Sequence, residues 1–301
     1  VATVRIGVLS SPESWYLADL RRAAGSQHKV TQLNWRDIGA AVGDDAPAVS
    51  ASGADLATLD LKTLDALIVR TMPPGSLEQV IFRMDALGQL AAAGLLVINS
   101  PRAIEVAVDK YLALCRLSAA GITVPRTRVC QTPSDALRAM TDLGGDVVVK
   151  PLFGSEGRGL FRLNDAALAE RAFGLLAPLG SVLYVQEFVP HAGYDLRLLV
   201  IGSRVLAMRR HAIDDWRTNL SLGGRAEPAE INDELAALAH RAAAAVGARH
   251  AGVDVLTGPD GRNFVLEVNA VPGWKGLSAS LEIDVAQLVL ADTASLIYPK
   301  N

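Results

Sequence analysis

Three features of this 301-residue sequence predict an α/β chain, with a parallel sheet in its amino-terminal third and an α+β part after it. Apolar strands and amphipathic helices alternate up to Ile98, a glycine-rich loop separates two strands beyond Lys150, and two charged β-hairpins follow. Strand–helix alternation builds parallel sheets under helical covers, whereas hairpins build antiparallel ones.

In chain order, residues 4–9 read as a buried strand, 15–24 as a helix, 66–69 as a strand, 77–93 as a helix and 95–98 as a third strand. Residues 42–60, rich in Ala, Asp and Ser, read as a surface loop. Ser100-Pro101 starts a helix, because the serine oxygen can cap it and proline tolerates its first position; the helix reaches about Ala120 and stops at Gly121. Strands at 147–150 and 159–163 flank the glycine-rich loop. A helix at 165–176, capped by Asn164, and a strand at 183–189 come next. The first hairpin, 195–201 with 204–211, turns at Gly202-Ser203. After an alanine-rich helix closed by Gly247, the second hairpin, 253–257 with 263–269, turns around Gly258-Pro259-Asp260-Gly261. Residues 285–297 form a last helix. The expected units are residues 1–99, 100–184 with the glycine-rich loop, and 185–301.

Composition limits the function. Half the residues are hydrophobic, the net charge is -3 and the isoelectric point is near 6.0, which argues against a nucleic-acid binder. Cys115 and Cys130 fit neither a metal nor a disulfide framework, as expected in a reducing cytoplasm. No apolar run approaches the roughly 20 residues that span a bilayer, so no membrane partner is expected.

The second hairpin carries oxygen ligands. With Thr257 opposite Arg262 across a four-residue loop, Asp254 lies opposite Val265, and alternation then puts Asp254, Glu267 and Asn269 on one face. Two carboxylates and an amide oxygen suit a hard cation such as Mg²⁺, which keeps waters and takes further ligands from substrate phosphates. A loop one residue longer or shorter breaks this parity, and a solvated polar strand face fits the same residues. In the first hairpin, pairing Ile201 with Arg204 puts Asp195, Arg197 and Arg210 on a common face and turns Arg209 away. Such a face is poor core and a good floor for anionic oxygens. The loop Lys150-Pro151-Leu152-Phe153-Gly154-Ser155-Glu156-Gly157-Arg158-Gly159 has neither the Gly-Lys-Ser/Thr of a P-loop nor the strand-to-helix setting of a dinucleotide fingerprint. It reads as a flap over phosphates or as an ordinary hairpin loop.

Taken in order, these residues resemble the ATP-grasp superfamily, and within it the RimK-type glutamate ligases. The resemblance runs from about Ser100 to Gly276 through Asp109-Lys110, Val148-Val149-Lys150-Pro151 with the glycine-rich loop, Gln186-Glu187-Phe188-Val189, Asp195-Leu196-Arg197, Arg217-Thr218-Asn219, Ala251-Gly252-Val253-Asp254 and Leu266-Glu267-Val268-Asn269. It implies that Lys110 and Lys150 contact ATP phosphates under a flap containing Gly154, Ser155, Glu156 and Gly157. It also implies that Gln186, Glu187, Phe188 and Val189 hold the base and ribose, that Asp195, Arg217, Thr218 and Asn219 line the nucleotide site, and that Asp254, Glu267 and Asn269 bind two ions, Mg²⁺ or Mn²⁺.

The implied reaction is ATP + carboxylate + amine giving amide + ADP + phosphate, with Arg210, aided by Arg197 or Arg217, facing the tetrahedral oxyanion. The implied amine is L-glutamate. The carboxylate belongs to a small coenzyme of the tetrahydromethanopterin or furan type, or to a protein carboxyl terminus. The alternatives from other classes are a catalytically silent ATP-binding module and a nicotinamide oxidoreductase, the latter suggested by the βαβ start although Gly7-Val8-Leu9-Ser10 lacks the required glycines. Arg70-Thr71-Met72-Pro73-Pro74-Gly75-Ser76, at the end of a parallel strand, is a candidate acceptor contact, and a surface turn fits Pro73-Pro74-Gly75 equally well. The sequence leaves assembly into a homo-oligomer open.

Overall fold

The structure, a computed structural model, describes residues 3–43, 49–52, 58–154, 157–213 and 215–298. The amino-terminal part is built on a parallel sheet of β1 (Val4–Leu9), β2 (His28–Leu33), β6 (Ala66–Val69) and β7 (Leu96–Ile98) in the order β2-β1-β6-β7. A small antiparallel sheet joins β3 (Ile38–Ala40), β4 (Val49–Ser52) and β5 (Thr58–Asp60). Helix α1 (Trp15–Ala24) covers one face of the parallel sheet, and α2 (Leu77–Ala92) starts from a reciprocal capping box between Ser76 and Gln79.

The rest of the chain forms two antiparallel sheets. One holds β8 (Thr127–Cys130), β9 (Val147–Lys150), β10 (Phe161–Leu163) and β11 (Leu183–Glu187) in the order β10-β9-β11-β8, backed by α5 (Pro133–Asp142) and α6 (Ala166–Leu176). The other holds β12 (Tyr194–Ile201), β13 (Arg204–His211), β14 (Arg225–Pro228), β15 (His250–Thr257) and β16 (Asn263–Asn269) in the order β14-β13-β12-β15-β16. Helix α7 (Asp233–Val246) packs its alanine face against this sheet, and α8 (Lys275–Leu281) follows β16. The last helix, α9 (Val285–Ile297), returns to the amino terminus: fully buried Val285, Val289 and Leu290 share a core with Val4, Ile6, Leu17 and Leu20. At about 1.5–3 kcal/mol per buried aliphatic side chain, this contact ties the chain's two ends together. No described helix is long and apolar enough to cross a membrane.

Several elements differ from the sequence expectation. The expected helix from Ser100 to Ala120 is two helices, α3 (Pro101–Val108) and α4 (Lys110–Ala119). Asp109 leaves helical geometry between them and caps α4, its Oδ1 accepting from Tyr111 N at 2.9 Å and Leu112 N at 3.0 Å. The cap of α6 is Asp165, which accepts from Leu168 N at 2.8 Å, rather than Asn164. The expected loop at 42–60 contains β4 and β5, with 44–48 and 53–57 outside the described residues.

Candidate nucleotide and metal site

The second hairpin reaches its expected geometry by a different route. Its loop is one residue longer than expected, since Thr257 pairs with Asn263 and Val255 with Val265. Continued regularly, this register would put Asp254 opposite Leu266 and turn Glu267 away. A β-bulge intervenes, and Asp254 pairs with Glu267 and Gly252 with Asn269. Two one-residue shifts restore the parity, and the ligand face is recovered.

The first hairpin pairs as expected: Ile201 with Arg204, Arg197 with Met208, Asp195 with Arg210. Strand β12 also pairs with β15, placing Arg197 beside Asp254, so Arg197, Asp254 and Glu267 form a row across three strands. Arg210, 4% exposed, grips Asp195 in a bidentate pair, with Nε to Oδ1 at 2.8 Å, and reaches Asp254 Oδ2 at 2.8 Å. Arg197 Nη1 lies 3.0 Å from Asp254 Oδ1. It fits because Gly252 has no side chain; a Cβ there would collide with Nη1. Arg209 points away and pairs with Glu227 at 2.8 Å.

This arrangement separates the two carboxyl groups electrostatically. Burial pushes the Asp254 carboxyl up, but Arg197 and Arg210 outweigh it and hold the group below its usual range. Burial, reinforced by the charge of Asp254, pushes Glu267 above its usual range. Asp254 Oδ1 is buried and, among the described residues, makes no hydrogen bond, its polar contact being the ion pair with Arg197 Nη1. A buried carboxylate oxygen that makes no hydrogen bond, beside a second carboxyl whose proton affinity is raised by burial, is a donor set that fits a divalent cation. Asn269 shares the face, its Oδ1 accepting from Val271 N at 2.8 Å.

The opposite wall comes from the β8–β11 sheet. Lys150, at the end of β9, donates to Gln186 Oε1 at 2.6 Å, and Gln186, 2% exposed, donates in turn to Thr127 Oγ1 at 2.9 Å. Burial lowers the Lys150 ammonium to about 8, partly countered by Glu267. Lys110, also lowered by burial, donates to Gly154 O at 2.7 Å and so holds the glycine-rich loop. The Glu187 carboxylate is bound by Arg126, which donates through N at 2.7 Å and Nε at 2.6 Å. Arg217 Nε donates to Asp215 Oδ2 at 2.6 Å.

A cleft of about 840 Å³, counting its open mouth, separates the two sheets. Its walls bring together Lys110, Lys150, Gly154, Gly157, Gln186, Glu187, Phe188, Val189, Asp195, Arg210, Arg217, Thr218, Asn219, Asp254 and Glu267. Arg197 and Asn269 lie outside the lining, and Ser155 and Glu156 fall outside the described residues. Sequence reasoning missed His191 and Trp216, whose rings each approach Phe188 at 5.9 Å, and the apolar lining Val148, Leu160, Leu256 and Leu266. Leu256 was legible, being two residues from Asp254 on the same strand. Leu266 was not, because it is the bulged residue.

Residues 107–292 match the RimK-like ATP-grasp domain. The chain is 33% identical to the tetrahydromethanopterin:alpha-L-glutamate ligase of Methanosarcina acetivorans, over 95% of this chain and 97% of that one. The chain belongs to the RimK-like ATP-grasp family. It is accordingly an ATP-dependent ligase. A probable alpha-L-glutamate ligase of Sodalis glossinidius is 35% identical over 90% of each chain. The ATP-grasp ligase PsnB, solved with its minimal precursor, superposes with a TM-score of 0.75 at 24% identity, covering 98% of this chain and 99% of that one; this likeness concerns the fold. The cleft lies between the β8–β11 sheet and the β12–β16 sheet.

Proposed function

We propose that this chain joins the amine of L-glutamate to a carboxylate of a small, coenzyme-type acceptor at the cost of ATP, forming ADP and phosphate. The observation that carries the reading is the charged row of half-buried Arg197, buried Asp254 and half-buried Glu267, extended by buried Arg210 and Asp195 and faced across the cleft by Lys150. The relatives named for glutamate ligation support the amino acid, and those named for tetrahydromethanopterin support the acceptor class.

Each part of the cleft has a task in this reading. Val148, Leu160, Leu256 and Leu266 line an apolar slot for a planar base, bordered by Phe188 and Val189. Lys150, Lys110 and the loop at Gly154 meet the phosphates, with Lys110 exchanging its Gly154 carbonyl for phosphate oxygen. Asp254, Glu267 and Asn269 would hold the cations, two in number, Mg²⁺ or Mn²⁺. Such ions supply positive charge to offset the charge gathered on the transferring phosphoryl group. An acceptor carboxylate oxygen attacks the γ-phosphorus, the bond to the β-phosphate oxygen breaks, and ADP leaves. The glutamate amine then attacks the acyl carbon, phosphate departs with the bonding pair, and the amine proton passes to solvent.

Arg210 keeps Asp254 ionised through its 2.8 Å contact with Oδ2 and adds positive charge beneath the oxyanion. Arg217, in the lining, is the more accessible guanidinium. Free Cys115 and Cys130 fit a cytoplasmic setting. The test is ADP formation with ATP, Mg²⁺, L-glutamate and a pterin-linked carboxylate, each omitted in turn. All four should be required, and Glu267→Gln should abolish turnover at an unchanged melting temperature; full activity in that variant contradicts the proposal.

A further inference from the structure

We infer that Asn99 and Arg70, at the carboxyl ends of β7 and β6, are positioning residues that set the cation affinity of the cleft by fixing the amide of Asn269. The inference rests on the proposed role of Asn269 as a cation ligand.

The Asn269 side chain is oriented by one hydrogen bond, in which Val271 N donates to its Oδ1. The carbonyls on either side of Val271 are both gripped from the parallel sheet. Asn99, 2% exposed, donates through Nδ2 to Ala270 O and, at 2.6 Å, to His250 O. Its Oδ1 accepts from Arg249 N at 2.7 Å and His250 N at 3.0 Å. One amide thus closes four backbone groups at the open end of the β15–β16 ribbon. Arg70, 7% exposed, donates through Nη2 to Pro272 O at 2.8 Å.

The guanidinium of Arg70 is held between two rings, 4.6 Å from the Tyr16 centroid and 4.3 Å from the Trp274 centroid. It has no carboxylate partner among the described residues, so its hydrogen bond to the turn and its stacking are what fix it. Tyr16 lies on α1 and Trp274 just before α8, so the clamp joins the amino-terminal part to the segment that follows the ligand strand. An amide ligand contributes little charge, and its value to a cation depends on orientation. Asn99 holds the very peptide unit, Ala270 C=O with Val271 N–H, that makes the orienting bond, and Arg70 holds the carbonyl of Pro272 two peptide units further on.

The test uses the full chain, a non-hydrolysable ATP analogue and Mn²⁺, with bound Mn²⁺ read by electron paramagnetic resonance. Glu267→Gln must lose Mn²⁺; retention there would defeat the metal assignment itself, and this inference with it. Given that loss, Arg70→Met keeps the stacked volume and removes the bond to Pro272, while Asn99→Asp turns the donor that faces Ala270 O into an acceptor. Each should weaken Mn²⁺ binding about tenfold, the value of one well-placed hydrogen bond, and leave affinity for the metal-free analogue within about twofold. In an Asn269→Ala background the Arg70→Met effect should vanish, because its route runs through that amide. Should Asn99→Asp fail to fold, Arg70→Met decides. Wild-type Mn²⁺ affinity in folded Arg70→Met, or an effect that persists without Asn269, overturns the inference.

Discussion

Raising the pH should move nucleotide affinity and fold stability in opposite directions, because burial lowers the Lys150 ammonium to about 8 from 10.5. Binding requires the charged form. Phosphate already carries its full charge in this range, its last proton being lost near neutrality, so Lys150 dominates the trend. With affinity falling as 1 + 10^(pH − 8), the apparent dissociation constant of an ATP analogue should rise about tenfold between pH 7 and 9. Stability of the nucleotide-free protein responds with the other sign. A lysine whose folded pKa lies below its unfolded one penalises folding at low pH, and the penalty is relieved as pH rises through the folded value. From pH 7 to 9.5 the relief amounts to at most about 2 kcal/mol. The assay is paired: analogue titration by fluorescence and urea unfolding, each for wild type, Lys150→Met and Lys150→Arg. The wild-type minus Lys150→Met stability difference should grow with pH in favour of wild type, and Lys150→Arg should bind with little pH dependence. A flat wild-type binding curve from pH 7 to 9.5 would refute the placement of Lys150 on the phosphates.

Other consequences follow from single contacts. Arg210→Gln leaves the carboxylates of Asp195 and Asp254 buried without their shared partner and should cost about 3–5 kcal/mol of stability by chemical denaturation. Lys110→Met frees the carbonyl of Gly154, so hydrogen exchange around Gly157 and Arg158 should quicken in the nucleotide-free protein and reach wild-type protection once the analogue binds. Burial raises Asp292, but hydrogen bonds from His250 and Arg249 prevail and lower it to about 2. Its contribution of roughly 2 kcal/mol is present above pH 4 and lost as pH falls towards 2, a loss that Asp292→Asn should not show in acid unfolding.

Much of this protein is written locally. The first hairpin's register follows from a two-residue turn at Gly202-Ser203, which fixes every pair through Asp195 and Arg210. The ligand face of the second hairpin was legible only in its outcome: the loop is longer than its turn residues indicate, and the compensating bulge at Leu266 leaves no mark in an alternating pattern. Strand β2, His28-Lys29-Val30-Thr31-Gln32-Leu33, escaped because an edge strand with one buried end carries too few apolar positions. The break at Asp109 hides in a continuous helical periodicity, and the role of Asp109 as a cap shows only once the backbone turns. Asn99 and Arg70 were beyond reach for a different reason. Their partners are backbone carbonyls about 150–200 residues away, and no side-chain pattern records those.

The most direct measurement is a crystal structure of the chain with Mg²⁺ and a non-hydrolysable ATP analogue. The account predicts at least one ion about 2.0–2.1 Å from carboxylate oxygens of Asp254 and Glu267, bridging to the phosphates, with Lys150 on the same triphosphate. An analogue bound away from the cleft, or ions held by the phosphates while Asp254 and Glu267 stay paired only with Arg197, Arg210 and each other, would contradict it.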